Sequence, residues 1–144
     1  MRGGHRAALS VVLLIGGPHV PAAGVSPLEF TISAPARGRV GASVSIVLRL
    51  HNASDRPIEA HFLGRTIVFD IVAAREDGSV AWRRLGAKVT PSILQIRTLA
   101  PDETLEWRDA WRPREPGRYR LQGVLPSDEP DPRRTPWVDV TVTP

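Results

Sequence analysis

The chain has no cysteine among its 144 residues. A disulfide framework, a thiolate nucleophile and a zinc–thiolate site are therefore excluded, and the fold must be held together without them. The sequence also lacks a phosphate-binding loop and a paired-carboxylate signature. We therefore expect a binding protein that carries no cofactor and no metal, rather than an enzyme.

Lysine is nearly absent, since Lys88 is the only one and the other basic residues of the chain are arginine or histidine. The formal net charge of +4 falls to +2 when Arg2 and Arg6 of the N-terminal segment are set aside. The remaining arginines are scattered among acidic residues, whereas nucleic-acid binding requires a continuous basic stripe. We expect no nucleic-acid partner.

Long apolar runs are also missing. The run near the N-terminus, Ala7–Ile15, is too short to span a bilayer. It follows the basic residues Arg2, His5 and Arg6 and precedes the small residues of Val20–Ala22. A basic start, a short apolar run and a small-residue cleavage site form the three-part pattern of a secretory signal peptide.

This pattern predicts a cleaved leader at residues 1–23 and a single domain at residues 24–144, which is long enough to bury one continuous core. We expect the mature protein to be exported, to the periplasm or outside the cell, with no stable membrane anchor after cleavage. A disordered N-terminus and an uncleaved anchor are the alternatives.

The stretch from Arg65 to Arg84 carries the clearest local signal. Side chains alternate in the run 67–72, the tetrad 75–78 interrupts them, and the alternation resumes at Val80. An Asp-Gly pair between two alternating runs is typical of a β-hairpin, because Gly accepts a positive φ and Asp can hydrogen-bond its own backbone. The sequence predicts two antiparallel strands joined at Asp77 and Gly78.

The two-residue period recurs along the chain and is clearest from Ser43 to His51. Further strands are predicted at 28–33, 58–62, 93–99, 105–111, 119–125 and 138–142, the first of them at a sheet edge. Many short strands without a long amphipathic helix predict an all-β fold, an immunoglobulin-like antiparallel β-sandwich, with a small barrel as the alternative. The expected core includes Ile46, Leu48, Phe69, Trp82, Trp107 and Leu121.

Few side chains suggest chemistry. His51 and His61 could be metal ligands or a general base together with Glu59 or Asp70, but no third ligand stands at a recognised spacing, and strand-end imidazoles are the simpler interpretation. Asp70 could be an acid catalyst, although a carboxylate on the solvated face, or one that accepts from the amides of a turn, is the more economical reading.

Two further patterns have structural alternatives. Asn52–Ser54 fits the N-glycosylation sequon, but an Asx turn at a strand end explains it equally well. The four tryptophans could stack on a sugar ring, whereas an indole on the apolar face of a sandwich strand is usually part of the core.

Several short motifs agree in order and spacing with one family. They are His51–Ser54, Phe69–Asp70, Gly78 followed by Val80–Trp82, Leu99–Pro101 with Glu103–Leu105, and Pro116–Tyr119. Together these motifs resemble the bacterial intracellular proteinase inhibitor family, BsuPI. The resemblance implies an immunoglobulin-like fold and inhibition of a subtilisin-like serine protease. The usual Pro-Gly-Glu turn of the family reads Pro101-Asp102-Glu103 in this chain.

An inhibitor of this kind needs an exposed and rigid loop, and prolines reduce the entropy lost when such a loop binds. The first candidate is the proline-bracketed segment 126–136, and the second is Arg83–Pro91. The predicted contact residues are Pro126, Asp128, Pro130, Pro132, Arg133, Arg134 and Pro136. A merely solvated loop is the alternative, which the acidic residues Asp128, Glu129 and Asp131 also suit. A non-catalytic envelope module that binds another protein, or serves a structural role, is the alternative function.

Overall fold

Strands form the regular structure of residues 26–144, the part of the chain that the computed structural model describes. In chain order they are β1 (Leu28–Ser33), β2 (Arg37–Arg39), β3 (Val44–Asn52), β4 (Ile58–Leu63), β5 (Asp70–Arg75), β6 (Val80–Arg83), β7 (Leu94–Leu99), β8 (Thr104–Trp111), β9 (Gly117–Leu125), β10 (Arg133–Arg134) and β11 (Val138–Thr143). The leader predicted at 1–23 lies outside the described residues. Within 26–144 no helix is long and apolar enough to cross a membrane.

The strands form two larger sheets and a two-stranded ribbon. The first sheet has the order β1-β3-β8, with β1 at its edge as predicted. The second has the order β2-β11-β9-β5-β6, and β10 also pairs with β9. The ribbon consists of β4 and β7. Among these pairings, β2 runs parallel to β11 and the others are antiparallel.

The two larger sheets pack face to face because each carries apolar residues at alternate positions. Along β3, for example, every second side chain is buried. The sheets approach closely at Gly123 of β9, where a Cβ would lie 2.5 Å from Cδ2 of Leu48. The hydroxyl of Tyr119 donates to the backbone oxygen of Glu115 at 2.7 Å, the tyrosine-corner contact of immunoglobulin-like sandwiches. The chain is an immunoglobulin-like antiparallel β-sandwich, and the predicted fold class is confirmed.

Four of the six expected core residues are buried: Ile46, Leu48, Phe69 and Leu121. The prediction was wrong for Trp82 and Trp107, which are only half-buried. Both pack against the core without being enclosed by it: Trp107 contacts the rings of Phe62 and Phe69, and Trp82 stacks on Trp111.

Trp111, also on β8, is the indole that reaches the core. It is 3% exposed because other rings pack against it. The ring of Tyr119 meets it edge-on at 4.9 Å between centroids, and Trp82 stacks on it at 6.4 Å. Aromatic pairs with these geometries add to the stabilisation from burial.

The predicted hairpin is present but its first strand begins and ends three residues later than the alternating run 67–72. Gly78 has φ 85°, and the backbone amide and hydroxyl of Ser79 donate to Asp77, which also lowers the pKa of that carboxyl. The strand begins at Asp70 rather than Ile67, because residues 64–67 form a turn closed by the amide of Val68. The alternation before Asp70 therefore belongs to a turn and an irregular segment.

Two short strands were not predicted. Strand β2 lies between the predicted strands 28–33 and 43–51, and β10 lies inside the expected loop 126–136. Each is only two or three residues long, too short to show a two-residue period, and the partner of β2 is the distant strand β11.

Replacing Trp111 with Ala should lower the free energy of unfolding by about 3–5 kcal/mol, because it removes a fully buried ring and leaves a cavity. Replacing Trp107 with Ala should cost clearly less, since that ring is already half in solvent. Urea denaturation of both variants checks the order. Equal losses for the two variants would contradict the burial difference.

Candidate functional site

The first candidate loop is the tip of a hairpin between β9 and β10. Leu125 pairs with Arg133, so residues 126–132 project between two hydrogen-bonded strands. Asp128, Pro130 and the acidic residues beside them are exposed, whereas Pro126 and Pro132 at the base are half-buried. We call residues 126–132 the tip loop.

The expected loop 126–136 is thus not one continuous loop. Arg133 and Arg134 lie in β10 and pair with β9, and Arg133 is half-buried. Beyond them Thr135 is buried, and only then does Pro136 return to the surface. The part of the segment that projects from the sheet is therefore the tip loop alone.

Thr135 fixes the returning chain. Its backbone amide donates to the carbonyl of Gly123, and its hydroxyl accepts from the amide of Gly123 at 2.9 Å. The side chain of Gln122 donates to the carbonyl of Thr135. These bonds attach the C-terminal end of the hairpin to the middle of β9.

His61 contacts the tip loop from the outer face of β4. Its Nδ1 lies 3.0 Å from Oδ1 of Asp128, and its Nε2 lies 3.2 Å from Oε1 of Glu59. The hydrogen bond to Asp128 and then that to Glu59 raise the pKa of His61 above its ordinary value. The two carboxylates lie on opposite sides of the ring, and within residues 26–144 no group of three such side chains could hold a metal ion.

His51 and Asn52 stand at the end of β3. His51 contacts the hydroxyl of Thr104 and the exposed Asp102. Asp102 has φ 65°, the left-handed conformation for which glycine is favoured, and its amide donates to the carbonyl of Asn52. This places the departure from the family's Pro-Gly-Glu turn at a position that asparagine and aspartate also tolerate.

The side chain of Asn52 is completely buried and its polar atoms are fully used. Its amide nitrogen donates to the carbonyls of Arg56, Leu99 and Ala100, and its oxygen accepts from the amide and hydroxyl of Ser54. The Asx-turn interpretation is correct, and a glycan has no access to this nitrogen in the folded chain.

The second candidate loop, Arg83–Pro91, is anchored at its start. Arg83 ends β6 and donates to Asp70, while Arg84 donates to the carbonyl of Phe69 and to Asp109. The guanidinium of Arg84 lies 3.7 Å from the centre of the Phe69 ring. From residue 86 to 91 most of the loop is exposed.

The carboxylate of Asp70 holds the first residues of this loop in place. The carboxylate is 1% exposed and accepts from the amides of Ile71 and Leu85 as well as from Arg83. The prediction that Asp70 lies on the solvated face was wrong. The alternative prediction, that its carboxylate accepts hydrogen bonds from backbone amides at a turn, is correct. A buried carboxylate is stabilised only when hydrogen-bond donors surround it, as they do here.

The tryptophans form no common platform for a sugar. Trp111 is buried, Trp82 and Trp107 are half-buried within aromatic contacts, and Trp137 is 40% exposed beneath the guanidinium of Arg120. The sequence missed a different exposed surface. On the outer face of the ribbon, Leu94 and Ile96 of β7 are 42% and 52% exposed, directly opposite Leu63 and His61 of β4.

A model of the intracellular proteinase inhibitor family, BsuPI, matches residues 30–130. The match begins in β1 and ends inside the tip loop, so it covers most of the sandwich. None of the curated proteins matches the chain.

Several solved structures are similar to the chain at low identity. The CARDB domain of a protein from Pyrococcus furiosus is 14% identical, with 81% of this chain and 87% of that chain covered and a TM-score of 0.46. The alkylpurine DNA glycosylase AlkC of Pseudomonas fluorescens is 12% identical over 83% of this chain and 31% of its own, with a TM-score of 0.46. A β-glucosidase of Listeria innocua is 16% identical, with 95% of this chain and 20% of that chain covered and a TM-score of 0.41. None of these likenesses bears on function.

Replacing Asp70 with Ala should lower the free energy of unfolding by about 1–3 kcal/mol, because two backbone amides and the Arg83 guanidinium lose their acceptor. Urea denaturation measures the loss. The matched control is Asp139→Ala, an exposed aspartate on β11, which should change stability by no more than about 0.5 kcal/mol. Similar losses in both variants would contradict the anchoring role of Asp70.

Proposed function

The chain belongs to the BsuPI family of intracellular proteinase inhibitors, and on this premise we propose that it inhibits a subtilisin-like serine protease by reversible blockade of the enzyme's cleft. The contact surface in this proposal is the tip loop. The family membership carries the inhibitory function, and the geometry of the hairpin supports the choice of surface.

The tip loop meets the requirements of a segment that enters a cleft. It is exposed along residues 128–131 and held at its base by the pairing of Leu125 with Arg133. Pro130 and Pro132 restrict its backbone further. A loop that is already ordered loses less conformational entropy when it binds, so more of the contact energy appears as affinity.

The proposed blockade is reversible, with the partner held by non-covalent contacts. The tip loop contains no thiol, and its one hydroxyl, that of Ser127, accepts a hydrogen bond from the amide of Glu129 at 3.1 Å. The exposed part of Arg83–Pro91 is the second candidate surface, since Asp70 and Asp109 anchor its first residues in the same manner.

A second candidate function is a non-catalytic protein-interaction module of the cell envelope. The exposed apolar residues Leu94 and Ile96 favour it, because clustered apolar side chains on a sheet surface often mark a protein contact. The inhibition assay described below separates the two functions, since this module would inhibit no protease.

We also propose that the protein is exported after cleavage of a leader at residues 1–23. Support comes from the basic start, the apolar run and the small residues at 20–22. Mass spectrometry of the exported fraction should find a mature chain that starts near Ala23. Full-length chain recovered solely from the cytosol would refute export and match the intracellular description of the family.

The protein titrated against a panel of subtilisin-like proteases should inhibit at least one of them at a stoichiometric ratio. Replacing residues 126–132 with Asn-Gly, a two-residue turn that suits the flanking strands, should abolish that inhibition. The physical reason is that the variant keeps the pairing of β9 with β10 but loses the projecting segment. Residual protease activity against a peptide substrate is the measurement.

The control for this experiment is a variant shortened between Gly86 and Ser92, which removes the exposed part of the second loop and should leave inhibition intact. Circular dichroism must show that both variants are folded. Inhibition that survives the Asn-Gly replacement but is lost in the control would move the contact to the second loop. No inhibition of any enzyme in the panel would favour the interaction module.

A further inference from the structure

His61 joins the tip loop to β4 through both nitrogens of its ring. Nδ1 faces Asp128 of the tip loop at 3.0 Å, and Nε2 faces Glu59 of its own strand at 3.2 Å. The imidazole is thus placed between two carboxylates, one on the rigid ribbon and one on the projecting segment.

This geometry depends on the protonation of the ring. An ionised carboxylate can only accept hydrogen bonds, and a neutral imidazole has a single N–H to donate. The two contacts can therefore both be hydrogen bonds only when the ring carries two protons and a positive charge. In the neutral ring, one nitrogen lone pair would face a carboxylate oxygen.

The other charged groups around His61 also favour its cation. Glu59 lies on the same strand, and Asp128 and Glu129 lie in the tip loop. Arg133 of β10 lines the same small pocket as His61, Glu59 and Glu129. With three carboxylates and one guanidinium nearby, the net charge around His61 is negative. The residue directly opposite on β7 is the uncharged Ile96. The raised pKa of His61, caused first by the hydrogen bond to Asp128, agrees with this arrangement.

We propose that His61 is a positioning residue for the tip loop: its imidazolium holds Asp128, so that residues 129–131 are presented in one conformation, and loss of one ring proton weakens this hold, because the single N–H that remains can donate to only one of the two carboxylates. The link to inhibition rests on the proposed function, whereas the link to loop order does not. Asp128 then faces the scaffold rather than the protease, and the contact residues are those that follow it.

The direction of the pH dependence follows from the raised pKa. The stabilising contacts are fully present below the ordinary value of 6.5 and are lost as the pH rises through the higher folded-state pKa. The tip loop should therefore be most ordered, and inhibition strongest, on the acid side of this window.

The first test uses the protein alone. Amide hydrogen exchange of Ser127, Asp128, Glu129 and Asp131, corrected for the intrinsic pH dependence of exchange, should show protection that falls about two- to fivefold between about pH 6 and pH 8.5, the size expected for exposed ion pairs. His61→Gln should have the low protection at both pH values, and His61→Lys, which keeps a cation, should have the high protection at both.

The matched control is His51→Gln. His51 has nearly the same exposure, 30% against 29% for His61, and also contacts a carboxylate, but it lies at the end of β3 away from the tip loop. Its replacement should leave the pH dependence of loop protection unchanged. A merely structural loss of stability would instead lower protection in both variants at every pH.

The second test measures the inhibition constant at the same pH values, with each enzyme's own pH dependence removed by taking the ratio of wild type to His61→Lys. The ratio should change about two- to fivefold across the window. Loop protection that varies with pH without any inhibition would overturn the proposed function and leave the positioning role standing. Protection that is the same in wild type and His61→Gln at both pH values would overturn the positioning role, whether or not a protease is inhibited.

Discussion

The placement of the candidate site depends on the side-chain amide of Asn52. This buried group belongs to β3, in the middle of the three-stranded sheet, and donates to backbone carbonyls just before β4 and at the end of β7. Asn52 therefore ties both strands of the ribbon to the sandwich, in addition to the packing of Ala60, Phe62 and Leu99 in the core. His61 lies on that ribbon, so Asn52 also helps to fix the position of the ring that contacts Asp128 of the tip loop. An unpaired amide at this depth would carry a large desolvation cost, which makes the arrangement nearly all-or-none.

Charged side chains have a different role on the opposite sheet. Asp70 of that sheet and Asp109 of β8, on the three-stranded sheet, fix the start of the second loop through Arg83 and Arg84, and the ring of Phe69 lies under the guanidinium of Arg84. Both candidate loops are thus rigid at the base and free further out. The same body could present either loop without changing its core, which is why the family's shared residues indicate the fold better than the contact surface.

The sequence predicted the fold where the signal is local. The strict alternation of β3 and the Asp77–Gly78 turn depend on neighbouring residues, and both were recognised. Prediction from the sequence was unreliable where the burial or pairing of a residue depends on strands outside its own segment. Trp111 is buried against Trp82 of β6 and Tyr119 of β9, whereas Trp107 contacts Phe62 and Phe69 and stays half-buried, and no local pattern distinguishes the two indoles. The return of the chain after β10 likewise involves a contact outside the local pattern, the bond of Thr135 to Gly123 of β9. The tip loop was identified from its prolines, but the contact between His61 and Asp128 spans 67 positions and has no local signature.

The close approach of the sheets at Gly123 has an evolutionary consequence. A methyl group there would collide with Leu48 on the facing sheet and approach the methyl group of Thr135 at 3.1 Å. A larger residue at 123 therefore requires the end of the Leu48 side chain to move, or a smaller side chain at 48. Because Thr135 bonds to the backbone of the same glycine, such a paired change would also alter the base of the hairpin. In related chains, substitutions at positions 48, 123 and 135 should therefore occur together. A chain with a wider spacing between the sheets at position 123 should hold its tip loop at a different angle.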